Sequence, residues 1–217
     1  MRTLTSKLKE ELLSFDADKF IETVKSLIKE GSSPTEAINA LTEALKEIGA
    51  EFEKGDLFIV HLVAAGDIAK RATTEVLEPL LKAGGAEKKV LGKVVIGTVA
   101  GDIHDIGKNI VATMLFSAGF EVIDLGKDVP IQEFVNKVKE TNADMVAMSA
   151  LLTTTLPVQR DIIEALKKAG LRGKVKIIVG GAPATAQWAR EIGADGYGED
   201  PIEAVRIAKS LLGVSED

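Results

Sequence analysis

The residues best suited to binding a metal lie in one short segment, Gly101 to Gly107, which reads GDIHDIG. Asp102 and His104 bring a carboxylate and an imidazole two positions apart. A hydrolytic two-metal centre would need several more histidine and asparagine ligands, and the chain has only one other histidine, His61. There is no cysteine, which excludes thiolate metal sites, disulfides and cysteine nucleophiles. The segment is therefore a candidate site centred on one histidine.

A strand is expected to position this segment. Lys93 to Ala100 is an apolar run rich in β-branched residues, and a helical pattern opens at Ile106. In a parallel α/β sheet, ligands bind at the carboxyl ends of strands, where loops face a crevice beside helix amino termini. We expect His104 at such an edge. An isolated Asp-x-His-x-x-Gly would more often be a simple turn, so the other segments of the chain matter for its interpretation.

The spacing Asp102-x-His104-x-x-Gly107 resembles the signature of the cobalamin-binding domain found in methionine synthase, in corrinoid proteins of methyltransferase systems and in some cobalamin mutases. In that family the cofactor's own base leaves the cobalt and a histidine replaces it. The resemblance implies a base-off corrinoid with His104 as the lower axial ligand. Asp102 would accept the other ring N–H and fix the tautomer. Further cofactor contacts are implied for Gly101, Asp105, Ile106 and Gly107.

The second half of the chain alternates strand and helix patterns. Strands are predicted at Lys93–Ala100, Glu121–Leu125, Met145–Ser149, Val175–Val179 and Gly196–Tyr197. Helices are predicted at Lys108–Ala118, Ile131–Thr141, Leu156–Ala169, Ala184–Ile192 and Pro201–Leu212. This alternation predicts a Rossmann-like, doubly wound parallel sheet of five strands in the flavodoxin-like order 2-1-3-4-5. His104 would then stand at the switch point beside the first strand.

Two further strand ends fit the same family. The third predicted strand runs into Ser149, Leu151 and Thr153, which the resemblance places in the slot for the displaced nucleotide tail. Thr155 stands where the family often has a serine bonded to the relay aspartate, although at least one of these hydroxyls is expected only to cap a helix. The fourth strand ends in Gly180 and Gly181, a pair that lets a ligand approach the backbone and that flanks the nucleotide base in the family.

The first part of the chain is helical throughout. Breaks near Asp16, Gly31 and Gly55 predict four helices in an antiparallel bundle. Ser33 and Glu36 predict a capping box at the start of the third helix. The interruption Lys82–Lys89 is the expected linker, so the domains are predicted at residues 1–88 and 89–217.

Part of the bundle, Gly49 to Leu62, resembles the domain that covers the upper face of the corrin in methionine synthase and the methyltransferase corrinoid proteins. The resemblance places Phe52, Ile59 and Leu62 over the cobalt, while residues at such spacing also form ordinary bundle cores. His61 stands where the family has Gln or Glu, and we interpret it as a partly exposed helix residue.

Composition narrows the class of partner. A net charge of −6 argues against nucleic acid, because phosphate binding needs clustered Lys and Arg. No apolar run approaches the length of a membrane span and the amino terminus has no signal-like segment, so the expected location is the cytoplasm and no membrane partner is expected.

The resemblance implies a methyl carrier rather than an autonomous enzyme. A substrate-specific methyltransferase would load the cobalt and a second methyltransferase would unload it, onto tetrahydrofolate or a thiol such as coenzyme M. A reductive activation protein is a further partner that the family implies. The alternative is the small subunit of an adenosylcobalamin-dependent mutase, which usually lacks the helical cap. A cobalamin-dependent regulator would need a DNA-binding module, for which 217 residues leave no room.

Overall fold

The structure, a computed structural model, describes residues 4–83 and 90–214. The chain divides into two compact units, a helical unit at the amino end and a sheet unit that follows it. Residues 84–89 of the expected linker lie outside the described residues. None of the helices in the described ranges is long and apolar enough to cross a membrane.

Between residues 4 and 83, the helical unit contains five α-helices. They are α1 (Leu4–Leu12), α2 (Ala17–Lys29), α3 (Pro34–Lys54), α4 (Ile59–Ala72) and α5 (Glu78–Ala83). Asp16 caps α2 by accepting the Lys19 N–H. The predicted capping box at α3 is confirmed, because Ser33 accepts from the Glu36 N–H and the Glu36 carboxylate accepts from the Ser33 N–H. The helix breaks therefore fall where the sequence places them.

The fourth predicted helix is not continuous. A π-helical turn, Thr73–Leu77, separates α4 from α5. Pro79 explains the widened turn, because a proline ring inside a helix clashes with the carbonyl four residues earlier and removes one N–H donor. Large apolar side chains of these helices are fully buried, among them Leu12, Phe20 and Ile48.

The sheet unit contains five parallel strands in the order β2-β1-β3-β4-β5, as predicted. The strands are β1 (Lys93–Thr98), β2 (Glu121–Asp124), β3 (Met145–Ser149), β4 (Lys176–Gly180) and β5 (Gly196–Gly198). Helices α6 (Ile106–Ser117), α7 (Ile131–Thr141), α8 (Pro157–Lys168), α9 (Ala186–Ile192) and α10 (Pro201–Leu211) alternate with them. The predicted ends differ by about two residues; α9, for example, begins later because Thr185 caps it by accepting the Trp188 N–H.

Three helices cover one face of the sheet and two lie on the other. Val95, Val146 and Val179 face a core filled from α7, α8 and α9. The alternate residues Ile96, Ala147 and Ile178, which are in register, face the side of α6 and α10. Because only two helices occupy that second face, space remains between them.

Candidate functional site

His104 lies in the loop that follows β1, and a buried carboxylate orients its ring. Nδ1 of His104 lies 2.8 Å from Oδ1 of Asp102, whose side chain is fully buried. Since a carboxylate only accepts hydrogen bonds, Nδ1 carries a proton, and in the neutral imidazole the lone pair is then on Nε2. The His104 side chain is 47% exposed, and Nε2 makes no hydrogen bond to any residue within the described ranges. This nitrogen is available to a metal.

Asp102 is held by four more donor contacts. The Thr155 hydroxyl and the Leu151 N–H each donate to Oδ2 at 2.7 Å, and the Leu152 N–H donates to the same oxygen at 3.2 Å. The His104 N–H donates to Oδ1 at 3.1 Å. Burial alone would raise the pKa of Asp102, but the hydrogen bonds from Thr155, His104 and Leu151 outweigh it and hold the pKa well below its usual range. The carboxylate therefore stays ionised at neutral pH.

The loop itself is fixed by residues that the sequence analysis did not single out. Gly101 has φ +82° and donates its N–H to Oδ1 of Asp128 at 2.7 Å, while the Asp128 N–H donates to the Asp102 carbonyl at 2.9 Å. The buried Thr98 hydroxyl donates to the His104 carbonyl at 3.0 Å. Asp128 follows β2, the neighbour of β1, so only the strand order could have revealed this contact.

A cavity of about 640 Å³ opens beside His104 on the face of the sheet that carries α6 and α10. We call it the slot. Most of the predicted cofactor contacts of the sheet unit line it: His104, Asp105, Ile106, Gly107, Ser149, Leu151, Gly180 and Gly181. Four others, Gly101, Asp102, Thr153 and Thr155, do not line it. Tyr197 is in register with Val179, lines the slot and also packs against the core of the opposite face.

The two glycines at the end of β4 have a structural cause besides any ligand. Gly181 has φ +108°, and a Cβ there would lie 1.9 Å from the Ala150 carbonyl oxygen. A Cβ on Gly180 would lie 3.1 Å from the Gly198 carbonyl oxygen. The close approach that requires Gly181 is therefore one between two protein backbones, and the contact of this glycine pair with a ligand stays a prediction.

A buried lysine that the sequence analysis did not select also lines the slot. Nζ of Lys108 lies 2.6 and 2.7 Å from the two carboxylate oxygens of Asp124 and 2.6 Å from Oδ1 of Asn109. The Lys108 side chain is 1% exposed. This ion pair ties the first turn of α6 to the end of β2, next to the His104 loop.

The surface around His104 is apolar and exposed. Ile103 and Ile106 are 65% and 78% exposed, and Leu151 and Leu152 are 42% and 41% exposed. Apolar side chains around one free imidazole nitrogen fit a large planar ring that carries its own metal. No group of three or more His, Cys, Asp or Glu side chains in the described ranges could hold a metal ion without such a ring. The apolar surface and the free imidazole nitrogen thus fit a corrin, which carries its own metal.

The three residues expected over the cobalt belong to the helical unit and differ in exposure. Ile59 is 37% exposed, Phe52 is half-buried and Leu62 is fully buried. The neighbours of Ile59 are more exposed, with Phe58 at 73%. His61 lies half-buried in the first turn of α4, where its Nδ1 lies 2.9 Å from the Phe58 backbone nitrogen.

Comparisons with known proteins bear on both units. Two family profiles, each described as a B12 binding domain, match residues 92–206 and 4–76. Dimethylamine corrinoid protein 2 of Methanosarcina mazei is 51% identical over 96% of this chain and 97% of that protein. A cobalamin-binding protein of Desulfitobacterium hafniense is 35% identical, with a TM-score of 0.67, over 97% of this chain and 98% of that one. The methanol:cobalamin methyltransferase complex MtaBC of Methanosarcina barkeri reaches a TM-score of 0.86 at 27% identity, over 99% of this chain and 81% of that chain.

Proposed function

This chain belongs to the family of cobalamin-binding corrinoid proteins, and from that premise we propose that it carries a methyl group between two methyltransferases. The first methyltransferase would take the methyl group from a methylamine, because the dimethylamine corrinoid protein is 51% identical over almost the whole chain. The second would pass it to tetrahydrofolate or to a thiol such as coenzyme M. A protein that reduces the cofactor after accidental oxidation is a third partner in this proposal.

One observation carries the proposal: the free Nε2 of His104 lies beside the slot, with Asp102 and Thr155 behind the ring. His104 would hold the cobalt of a base-off corrinoid from its lower side. The slot would take the nucleotide tail, with Ser149 and Gly180 at its wall. When bound, the corrinoid supplies the cobalt that accepts and releases the methyl group. Binding, orientation and ligand electronics fall to the protein.

The relay behind His104 determines where a proton can reside. Five donor contacts keep the Asp102 carboxylate ionised. A proton taken up when Nε2 is not engaged as a ligand would therefore not be held by Asp102. The carboxylate orients the ring, and Thr155 keeps the carboxylate in place.

We assign the helical unit the role of covering the upper face of the corrin. The exposed apolar residues Phe58, Ile59 and Val60 at the start of α4 support this role, because an apolar cover excludes water from a reactive metal centre. The match of residues 4–76 to a B12 binding domain supports it as well. A mutase subunit, whose partner covers that face, has no use for such a unit, and so the carrier is the function that we favour.

The test is the visible spectrum of the protein after incubation with hydroxocobalamin and removal of free cofactor. The wild type should retain the chromophore with a histidine-ligated spectrum. His104→Ala should lose the axial-ligand features, while His61→Ala, which removes the other histidine, should keep them. A wild type that retains no corrinoid would refute the proposal. Identical spectra for His104→Ala and the wild type would refute the ligand assignment alone.

A further inference from the structure

Gln159 is a fully buried amide on the sheet face opposite the slot. Its Nε2 donates to the Met148 carbonyl at 3.2 Å and to the Gly180 carbonyl at 3.0 Å. Its Oε1 accepts from the Trp188 indole N–H at 3.0 Å. One side chain from α8 thus joins the ends of β3 and β4 to α9, and both hydrogens of its amide are used.

The backbone that Gln159 holds is also the wall of the slot. Met148 and Gly180 both line the cavity, as do their neighbours Ser149 and Gly181. A sheet is one backbone thick, so a displacement of these carbonyls on one face moves the lining atoms on the other. The slot therefore depends on a side chain that does not line it.

The two strands also pair with each other directly, in a parallel ladder that runs from Met145 and Lys176 to Ser149 and Gly180. Beyond the paired residues Ser149 and Gly180, the strands are joined by the bond from the Ala150 N–H to the Gly180 carbonyl at 3.2 Å. Trp188, which is only partly buried, is held in turn by the Arg160 guanidinium, 4.8 Å from the ring centroid. Because the ladder and the bond from Ala150 to Gly180 do not involve Gln159, the sheet can fold without this side chain, while the carbonyls of Met148 and Gly180 lose their connection to α8 and α9.

We propose that Gln159, supported by Trp188, is a positioning residue that sets the width of the slot and thereby the affinity for the nucleotide tail of the corrinoid. This inference rests on the proposed function, since it takes the slot as the site of the tail. It assigns no role to Gln159 in holding the corrin ring or in the ligation by His104.

Two corrinoids separate the tail from the ring: hydroxocobalamin has the tail and cobinamide lacks it. Dissociation constants of both are measured by absorbance titration for the wild type, Gln159→Met and Trp188→Phe. Gln159→Met should weaken hydroxocobalamin binding at least tenfold and change cobinamide binding less than twofold. Trp188→Phe, which leaves both carbonyl bonds of Gln159 in place, should weaken hydroxocobalamin binding about threefold with cobinamide unaffected.

Equal weakening of both corrinoids, or none, would overturn the inference. If Gln159→Met does not fold, Trp188→Phe carries the same comparison, and an equal effect on the two ligands would again overturn it. A wild type that binds cobinamide as tightly as hydroxocobalamin would show that the slot does not take the tail. A wild type that binds neither would instead refute the proposed function, so the two failures are distinguishable.

Discussion

Thr155→Val tests the relay behind His104 with almost no change in shape. The substitution replaces a hydroxyl by a methyl group and removes the 2.7 Å hydrogen bond to Asp102. The Thr155 hydroxyl also lies 3.0 Å from the Leu152 carbonyl, but it has one hydrogen, and that carbonyl already accepts the Thr155 N–H. The Thr155 hydroxyl therefore donates its hydrogen bond to the Asp102 carboxylate. Thr155→Ser keeps the hydroxyl and is the matched control.

The expected cost follows from the surroundings of the carboxylate. A hydrogen bond to a charged group contributes roughly 1.5–3 kcal/mol. Asp102 is fully buried, so water cannot replace the lost donor, yet its four other donor contacts remain. We expect Thr155→Val to lower the free energy of unfolding by about 2 kcal/mol, roughly a 30-fold change in the ratio of folded to unfolded protein. Thr155→Ser should lose less than about half of that.

Urea unfolding followed by tryptophan fluorescence measures the free energy of unfolding of the sheet unit. Trp188 is the only tryptophan of the chain and lies in the sheet unit, so its signal reports that unit. Hydroxocobalamin binding should weaken about tenfold in Thr155→Val, because partners of a metal-binding histidine typically contribute 10–100-fold. A Val variant within about 0.5 kcal/mol of the wild type, or a Ser variant as unstable as the Val variant, would refute the reasoning.

Three other predictions use the same unfolding assay. Asp124→Asn should lower the free energy of unfolding by about 3–5 kcal/mol, because it leaves Lys108 buried without its counter-ion. Lys108→Met should lower it less, since Asp124 is 23% exposed and water can reach it. Equal losses in the two variants would contradict this reasoning. Gly181→Ala should fail to fold or lose more than about 3 kcal/mol, because its Cβ would overlap the Ala150 carbonyl. Gly107→Ala should raise the free energy of unfolding by up to about 1 kcal/mol, because its Cβ meets open space and alanine favours the helix. The same variant should bind hydroxocobalamin more weakly. Unchanged binding would show that Gly107 is not a cofactor contact.

The alternation of apolar and polar residues was sufficient to predict the strands and helices, because their periodicity is a local property of the chain. The order of the five strands was predicted from the flavodoxin-like arrangement, which is one of the common orders of doubly wound parallel sheets. The capping box of Ser33 and Glu36 was predictable for the same reason, since both partners lie within one turn. The π-helical turn at Thr73–Leu77 was missed, although Pro79 was a visible signal for it.

The contacts of the candidate site likewise fall into those that the sequence suggested and those that only the tertiary structure reveals. His104 and Asp102 are two residues apart, and the family resemblance supplied the roles of Asp102 and Thr155 beside this histidine. The acceptor Asp128, the donors Leu151 and Leu152, and the hydrogen-bonded pair Gln159 and Trp188 come from segments distant in sequence. The sequence by itself thus determined the fold class and the central histidine. Only the tertiary structure decided what holds that histidine and shapes the slot, because those contacts exist only where the strand ends meet.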